Sequence, residues 1–458
     1  SMSSIQRIAT GFSLSWLFLA NLVGLLLAAL LVWPSLNGFL APYTFGRWVP
    51  LHMDWQLYGW CSLPLLGLIL RHVFDGSQMG VNWSFVSFSL WSLGLIASGA
   101  SWLSGGASGK LFLNWGGFSG SVFGGALIAI WVILTIGCFQ RFLDRSRSGE
   151  TGISLAIKGC LVVSLLGIPA ILLKTSDPTV YPPVNPDSGG ATGHSLLASS
   201  LGIVFLMGLL PRIGLGLGIV CERLKRRAEF IFWGVFSLSI VLYLSIEHGN
   251  ASNASLNQVL GLGSLLAWPL LVWFLWKSFK WTDASKLWRM AFLFWWAFLT
   301  IDGWVLFLPG ILNTLKFTNA LVAHSHLAMG GMATALNMVI LIELGGSKRS
   351  RNLLSLSWPF WIWNSNCLLY VLIMTVQGWR EGLDPSVLLQ EDTLTSLSYG
   401  LRLVVGAFMA LASAFWVARF ARELLVDFRK REAVDAKALW QYASFEAHRK
   451  SEKGIRRV

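Results

Sequence analysis

Hydrophobic residues along the chain fall into twelve long runs that are separated by shorter polar stretches. Each run is about as long as the helix of roughly 20 residues that crosses a bilayer core of about 30 Å. Their approximate bounds are 11–33, 48–70, 84–104, 119–140, 153–173, 194–211, 228–248, 258–277, 289–310, 318–343, 356–377 and 397–421. The pattern predicts an all-α integral membrane protein with twelve transmembrane helices.

The basic residues are distributed unevenly between the loops that would lie on the two sides of the membrane. The formal net charge is +13, and most Lys and Arg residues fall in the loops of one side. The other side receives only Arg47, Lys110, Lys174, Lys316, Arg380 and Arg402. The positive-inside rule then places both termini in the cytoplasm. We expect a membrane domain over 1–424, a basic cytoplasmic tail over 425–458, and a lipid bilayer rather than nucleic acid as the partner of the basic residues.

Five of the seven histidines lie inside the apolar runs, all near the ends predicted to face outward. His52 begins the second run, His194 begins the sixth, His248 ends the seventh, and His324 and His326 lie early in the tenth. A single histidine in a membrane helix is usually a packing residue. Several at one depth favour a bound metal or cofactor, because polar side chains are costly in lipid without a partner.

The spacing of His324 and His326 indicates which kind of cofactor these histidines could bind. Residues two apart on an α-helix point roughly 200° apart, so the two imidazoles would face opposite sides. This arrangement suits two large planar cofactors that flank the helix, and imidazole is a common protein ligand of haem iron. The alternative is that one histidine is a ligand and the other packs.

Four short motifs carry a resemblance to a known family. They are Gly46-Arg47-Trp48-Val49-Pro50-Leu51-His52 with Tyr58-Gly59-Trp60, Gly193-His194-Ser195, Phe317-Thr318 before His324-Ser325-His326, and Gln377-Gly378-Trp379-Arg380. In this order, and on these predicted sides, they resemble the catalytic subunit (subunit I) of the haem-copper oxidase and nitric oxide reductase superfamily. The C-type (cbb-type) cytochrome c oxidases are the most similar branch.

The resemblance implies two haems and a second metal. His52 and His326 would be the two axial ligands of a low-spin haem, and His324 the proximal ligand of a high-spin haem. His194 would bind the second metal, which faces the high-spin haem.

Two arginines are candidates for binding the haem carboxylates. Arg380 suits this role at the outer interface, because a guanidinium binds carboxylates in a bidentate manner. Arg47 is a similar candidate. For both, the alternative is an ordinary interfacial arginine whose charged end reaches the headgroups. Arg402 shares the same ambiguity.

The seventh run departs from the family pattern. The family has a pair of histidines there, whereas this chain has Glu247-His248. Three alternatives stay open: Glu247 replaces an imidazole and favours non-haem iron over copper, His194 and His248 bind copper with a third ligand, or the second metal has been lost. Tyr243 lies near the position of the family's cross-linked tyrosine and would donate a proton and an electron, with a packing role as the alternative.

These observations predict a respiratory terminal oxidoreductase that reduces dioxygen or nitric oxide. The alternative is a non-catalytic dihaem subunit that relays electrons within a larger complex. The five cysteines form no CxxCH motif, so the chain attaches no c-type haem itself. We therefore expect a separate electron donor on the outer side, such as a c-type cytochrome, and a multi-pass location in the bacterial cytoplasmic (inner) membrane.

Overall fold

The chain folds into a bundle of membrane-spanning helices. The computed structural model describes residues 2–74, 77–177, 179, 196–212, 218–246, 256–345, 348–389 and 392–455. Twelve apolar helices within these ranges are α1 (Met2–Val32), α2 (Phe45–Phe74), α3 (Gln78–Leu103), α4 (Ser119–Leu143), α5 (Gly152–Thr175), α6 (Leu196–Leu209), α7 (Glu222–Ser245), α8 (Val259–Trp276), α9 (Lys286–Leu306), α10 (Asn319–Glu343), α11 (Ser357–Leu383) and α12 (Thr393–Ile455). The described residues contain no strand, only an isolated bridge between Ile219 and Phe279.

The predicted all-α membrane fold is confirmed. Eleven helices are long and apolar enough to cross a membrane, and the shorter apolar helix Leu197–Leu209 corresponds to the sixth predicted run. The largest boundary difference is at the C-terminal end, where α12 continues to Ile455 as one helix. Apolar runs report only the part of a helix that lipid covers, whereas the hydrogen-bond ladder can continue into water. The cytoplasmic position of the tail and both termini stays a prediction.

α2, which carries His52, packs against α1, and α10, which carries His324 and His326, packs against α11. α1 contacts both α2 and α12, while α11 contacts both α12 and the first part of α10. Gly378 of α11 permits the close approach of α10, since a Cβ atom there would lie 2.2 Å from the backbone nitrogen of Ala320. Small residues serve this purpose widely between membrane helices.

α2 and α10 each contain a stretch of π-helix next to a predicted ligand. Trp55–Trp60 follows the turn that carries His52, and Leu327–Ala333 begins directly after His326. A π turn disturbs the regular backbone hydrogen bonds and often occurs at functional sites. Here the two helices are joined beside these turns, because Asn337 donates to the Trp60 carbonyl and Trp60 Nε1 donates to Thr334.

Candidate functional site

His52 of α2 and His326 of α10 face each other across a cavity. Their ring centroids are 6.4 Å apart and the ring planes differ by 30°. The cavity has a volume of about 360 Å³ and lies among α1, α2, α10, α11 and α12. This volume is within the range of about 300–1,000 Å³ that small-molecule and cofactor sites occupy.

Both rings are held by a backbone carbonyl on the Nδ1 side. His52 Nδ1 lies 2.8 Å from the carbonyl oxygen of Ala20, and His326 Nδ1 lies 2.8 Å from that of Val322. A carbonyl oxygen only accepts, so Nδ1 carries the proton and Nε2 keeps its lone pair. Metal-binding histidines are commonly oriented by this kind of second hydrogen bond.

Gly24 of α1 provides the space for the His52 ring. A Cβ atom on Gly24 would lie 2.5 Å from His52 Cε1 and 3.2 Å from His52 Nε2. Real Cβ atoms do not approach that closely, so any larger residue would force the ring to move. The backbone of α1 therefore fixes this imidazole from two directions, through the Ala20 carbonyl and through Gly24.

The paired imidazoles fit the axial ligation of one haem iron. A bond between a metal ion and an imidazole nitrogen is about 2.0 Å long, so the two nitrogens should be about 4 Å apart. The ring centroids are 6.4 Å apart, so both side chains could bind one metal ion that lies between them. The donor set, two neutral imidazoles whose Nδ1 atoms are already engaged, matches a bis-histidine haem.

A tyrosine and an arginine stack next to His326. The Tyr370 ring lies 4.1 Å from the His326 ring, centroid to centroid, at an angle of 31°. The guanidinium of Arg402 lies over the Tyr370 ring, 5.4 Å from the ring centroid. Both residues line the cavity. Tyr370 was missed at the level of sequence, although it lies two helical turns before Gln377 on the same helix.

The other two candidate arginines lie outside this cavity lining. Arg380 donates to Asp392 over 2.7 Å and to Gln377 over 3.1 Å. Its hydrogen bond, together with the backbone N–H of Thr395, holds the pKa of the exposed Asp392 carboxyl below its usual value. Arg47 donates to the carbonyl of Leu103 over 2.8 Å. Among the three arginines, only Arg402 lines the space between the paired histidines.

His324 has a different environment from His326. Its Nδ1 lies 2.7 Å from a carboxylate oxygen of Asp302 on α9, and its Cε1 lies beside Gly303. It is absent from the lining of the cavity that holds His326. α10 thus presents one imidazole toward the cavity and the other toward α9.

The predicted second metal site falls mostly outside the described residues. His194, Glu247 and His248 belong to segments that the structure does not describe. Tyr243 lies half-buried near the end of α7 and packs against the hydrophobic core. Within the described part of the chain, no three His, Cys, Asp or Glu side chains are grouped closely enough to hold a metal ion.

The arrangement of helices is shared with a known class of membrane protein. A cryo-EM structure of a haem-copper terminal oxidase dimer matches 92% of this chain and 84% of its own, with a TM-score of 0.58 and 13% sequence identity. At this identity the likeness shows the fold alone and does not distinguish the C-type or nitric oxide reductase branch. No protein-family model and no curated protein matches the chain.

Proposed function

We propose that this protein is a haem-binding subunit of a respiratory terminal oxidoreductase. Electrons would pass from a low-spin haem held by His52 and His326 to a high-spin haem held by His324. The observation that carries the proposal is the pair of facing imidazoles, 6.4 Å apart, each fixed at Nδ1 by a carbonyl. The fold shared with a haem-copper terminal oxidase supports it.

The residues around the cavity would bind and orient the haem. His52 and His326 would each direct Nε2 at the iron, while Tyr370 would keep the His326 ring in its plane. Arg402 would neutralise a haem carboxylate, and Arg380 and Arg47 are further candidates nearer the helix ends. When bound, haem supplies a one-electron carrier.

The second haem site would have a ligand that donates more electron density to the iron. His324 Nδ1 lies 2.7 Å from a carboxylate oxygen of Asp302, and such a partner strengthens the donation of an imidazole to a bound metal. Greater electron donation from the axial ligand favours chemistry on a bound diatomic gas over simple electron transfer. Dioxygen and nitric oxide are the two candidate substrates.

The second metal would lie opposite His324 and be held by His194, His248 and Glu247. A set that contains a carboxylate favours non-haem iron, and a set of imidazoles alone favours copper. Tyr243 is the candidate donor of a proton and an electron. The electron donor would be a separate c-type cytochrome on the outer side of the bacterial inner membrane.

The chain carries one feature that favours a second function, a dihaem electron relay without catalysis. α7 is followed by Glu247-His248 rather than by a pair of histidines. A lost second metal would leave both haems in place but remove the site of gas reduction.

The stoichiometry of haem and metal in the purified protein tests both functions. We expect a pyridine haemochrome assay to give two haems per chain, and elemental analysis to give copper or a third iron. Two haems with no further metal would overturn the catalytic function and favour the relay. A protein without haem would contradict both. His72→Ala is the matched control, because His72 lies in the last turn of α2, away from the cavity, and its loss should leave the stoichiometry unchanged.

A further inference from the structure

Glu381 is a buried carboxylate of α11 that the proposed function does not use. Only 2% of the residue is exposed. Its oxygens accept hydrogen bonds from the backbone N–H of Asn319 over 2.9 Å, from Asn319 Nδ2 over 2.5 Å and from Gln377 Nε2 over 3.1 Å. All three of these groups donate to the carboxylate oxygens.

Glu381 holds the beginning of the helix that carries both histidines. Asn319 is the first residue of α10, where backbone N–H groups have no partner within the helix. A negative charge at this end is also favoured by the helix dipole. Gly378, one turn earlier on α11, allows the contact because α11 packs directly on the backbone of Ala320.

Asn319 also connects Glu381 to the cavity. The same amide that donates to Glu381 presents its oxygen to Arg402 Nη1, at 3.5 Å. Arg402 lies over Tyr370, and Tyr370 stacks on His326. Five side chains thus form a continuous column: Glu381, Asn319, Arg402, Tyr370 and His326.

The charge of Glu381 has no cation in direct contact within the described residues. Arg402 is linked to it through Asn319, and Arg380 is linked to it through Gln377. Asp392, on the same end of the bundle, differs in both respects. Its side chain is 26% exposed and is paired directly with Arg380. Water and the paired arginine screen Asp392, whereas a buried charge acts over a longer distance.

We propose that the negative charge of Glu381, at the end of the column that leads to His326, lowers the midpoint potential of the haem bound in the cavity. The inference rests on the proposed binding of that haem by His52 and His326. A nearby negative charge stabilises the ferric over the ferrous form, because the ferric haem carries one more positive charge. Removing that charge should make the haem easier to reduce.

The test is a redox titration of the low-spin haem in the purified, haem-loaded protein. Glu381→Gln keeps the size of the side chain and removes its charge. We expect the ferrous to ferric ratio at a fixed potential to rise about tenfold, which corresponds to about 59 mV for one electron. Asp392→Asn removes the same formal charge from the exposed position and should change the ratio far less. Glu381→Asp keeps the charge and should stay near the wild-type potential.

Four outcomes would overturn the inference. Glu381→Gln could titrate like the wild type, or Asp392→Asn could shift the potential equally. Glu381→Asp could shift it as much as Glu381→Gln, which would assign the effect to contact geometry rather than charge. Loss of the low-spin spectrum in Glu381→Gln, with Glu381→Asp equally affected, would show a purely structural role. A wild-type protein without haem would remove the proposed function itself, whereas a loaded protein with an unmoved potential would remove only the role of Glu381.

Discussion

His324 and His326 lie two residues apart on α10, yet their surroundings differ in the group that holds Nδ1. His326 Nδ1 meets the neutral carbonyl of Val322 within its own helix, and its ring faces a second histidine across a cavity. His324 Nδ1 meets a carboxylate of Asp302 on another helix. One helix can therefore present two chemically different imidazoles, because the second hydrogen bond orients each ring and affects how strongly it donates to a bound metal.

The largest effect is expected when His324 and His326 are replaced one at a time, because each variant should lose a different haem. Under the proposed function His326→Ala would remove a ligand of the low-spin haem, so we expect loss of the low-spin signal with the high-spin signal retained. His324→Ala should have the reverse effect. Electron paramagnetic resonance and the pyridine haemochrome assay measure both, with haem content falling to about half in each variant. Loss of the same haem in both variants would contradict the assignment to opposite sides of α10.

Gly24→Ala should disturb only the His52 and His326 side. The new Cβ would lie 2.5 Å from His52 Cε1, so the ring must rotate or α1 must shift. Overpacking of this kind costs about 1–3 kcal/mol, and we expect a partial loss of the low-spin haem. Gly125→Ala is the control, because nothing lies within 4 Å of a Cβ at that position of α4. Equal haem occupancy in the two variants would show that Gly24 does not set the ring position.

Asp302→Asn should change only the surroundings of His324 and leave those of His326 intact. The amide can still bond His324 Nδ1 but carries no charge, so the imidazole becomes a weaker donor to iron. Changes of such second partners commonly alter affinity or activity by about 10- to 100-fold. Resonance Raman spectroscopy of the iron–histidine stretch should show a lower frequency in the variant, with the low-spin haem unchanged. An unchanged frequency would exclude a role of the carboxylate.

The smallest effect is expected for the ion pair between Arg380 and Asp392. Arg380 lowers the pKa of this carboxyl, so the pair stabilises the folded protein above the ordinary carboxyl pKa. That contribution is lost as the pH falls through the lowered value. We expect Asp392→Asn to leave haem content unchanged and to reduce the loss of thermal stability between pH 7 and about pH 3. An identical pH profile in the variant would show that the exposed pair contributes nothing measurable.

The all-α membrane fold could be predicted because apolar length is readable along the chain, whereas the common depth of the five histidines stays a prediction. Which side chains meet could not be predicted in the same way. Arg380, Arg47 and Arg402 were equivalent candidates in sequence, and only the packing of α12 against α11 brings Arg402 to the cavity. The π turns beside His52 and His326 have no sequence signature of the kind that Pro or Gly provides for a turn. The contact of Glu381 with Asn319 depends on the packing of α11 against α10, which the sequence pattern does not give.

Under the proposed function, His52 and His326 bind one haem iron between them. The most direct test is low-temperature electron paramagnetic resonance of the oxidised protein, compared with His52→Ala and with the control His72→Ala. We expect a low-spin ferric signal of the rhombic type, because the ring planes differ by only 30°. The signal should disappear in His52→Ala and persist in His72→Ala. A haem-loaded protein with no low-spin signal, or a signal that survives His52→Ala, would contradict this assignment.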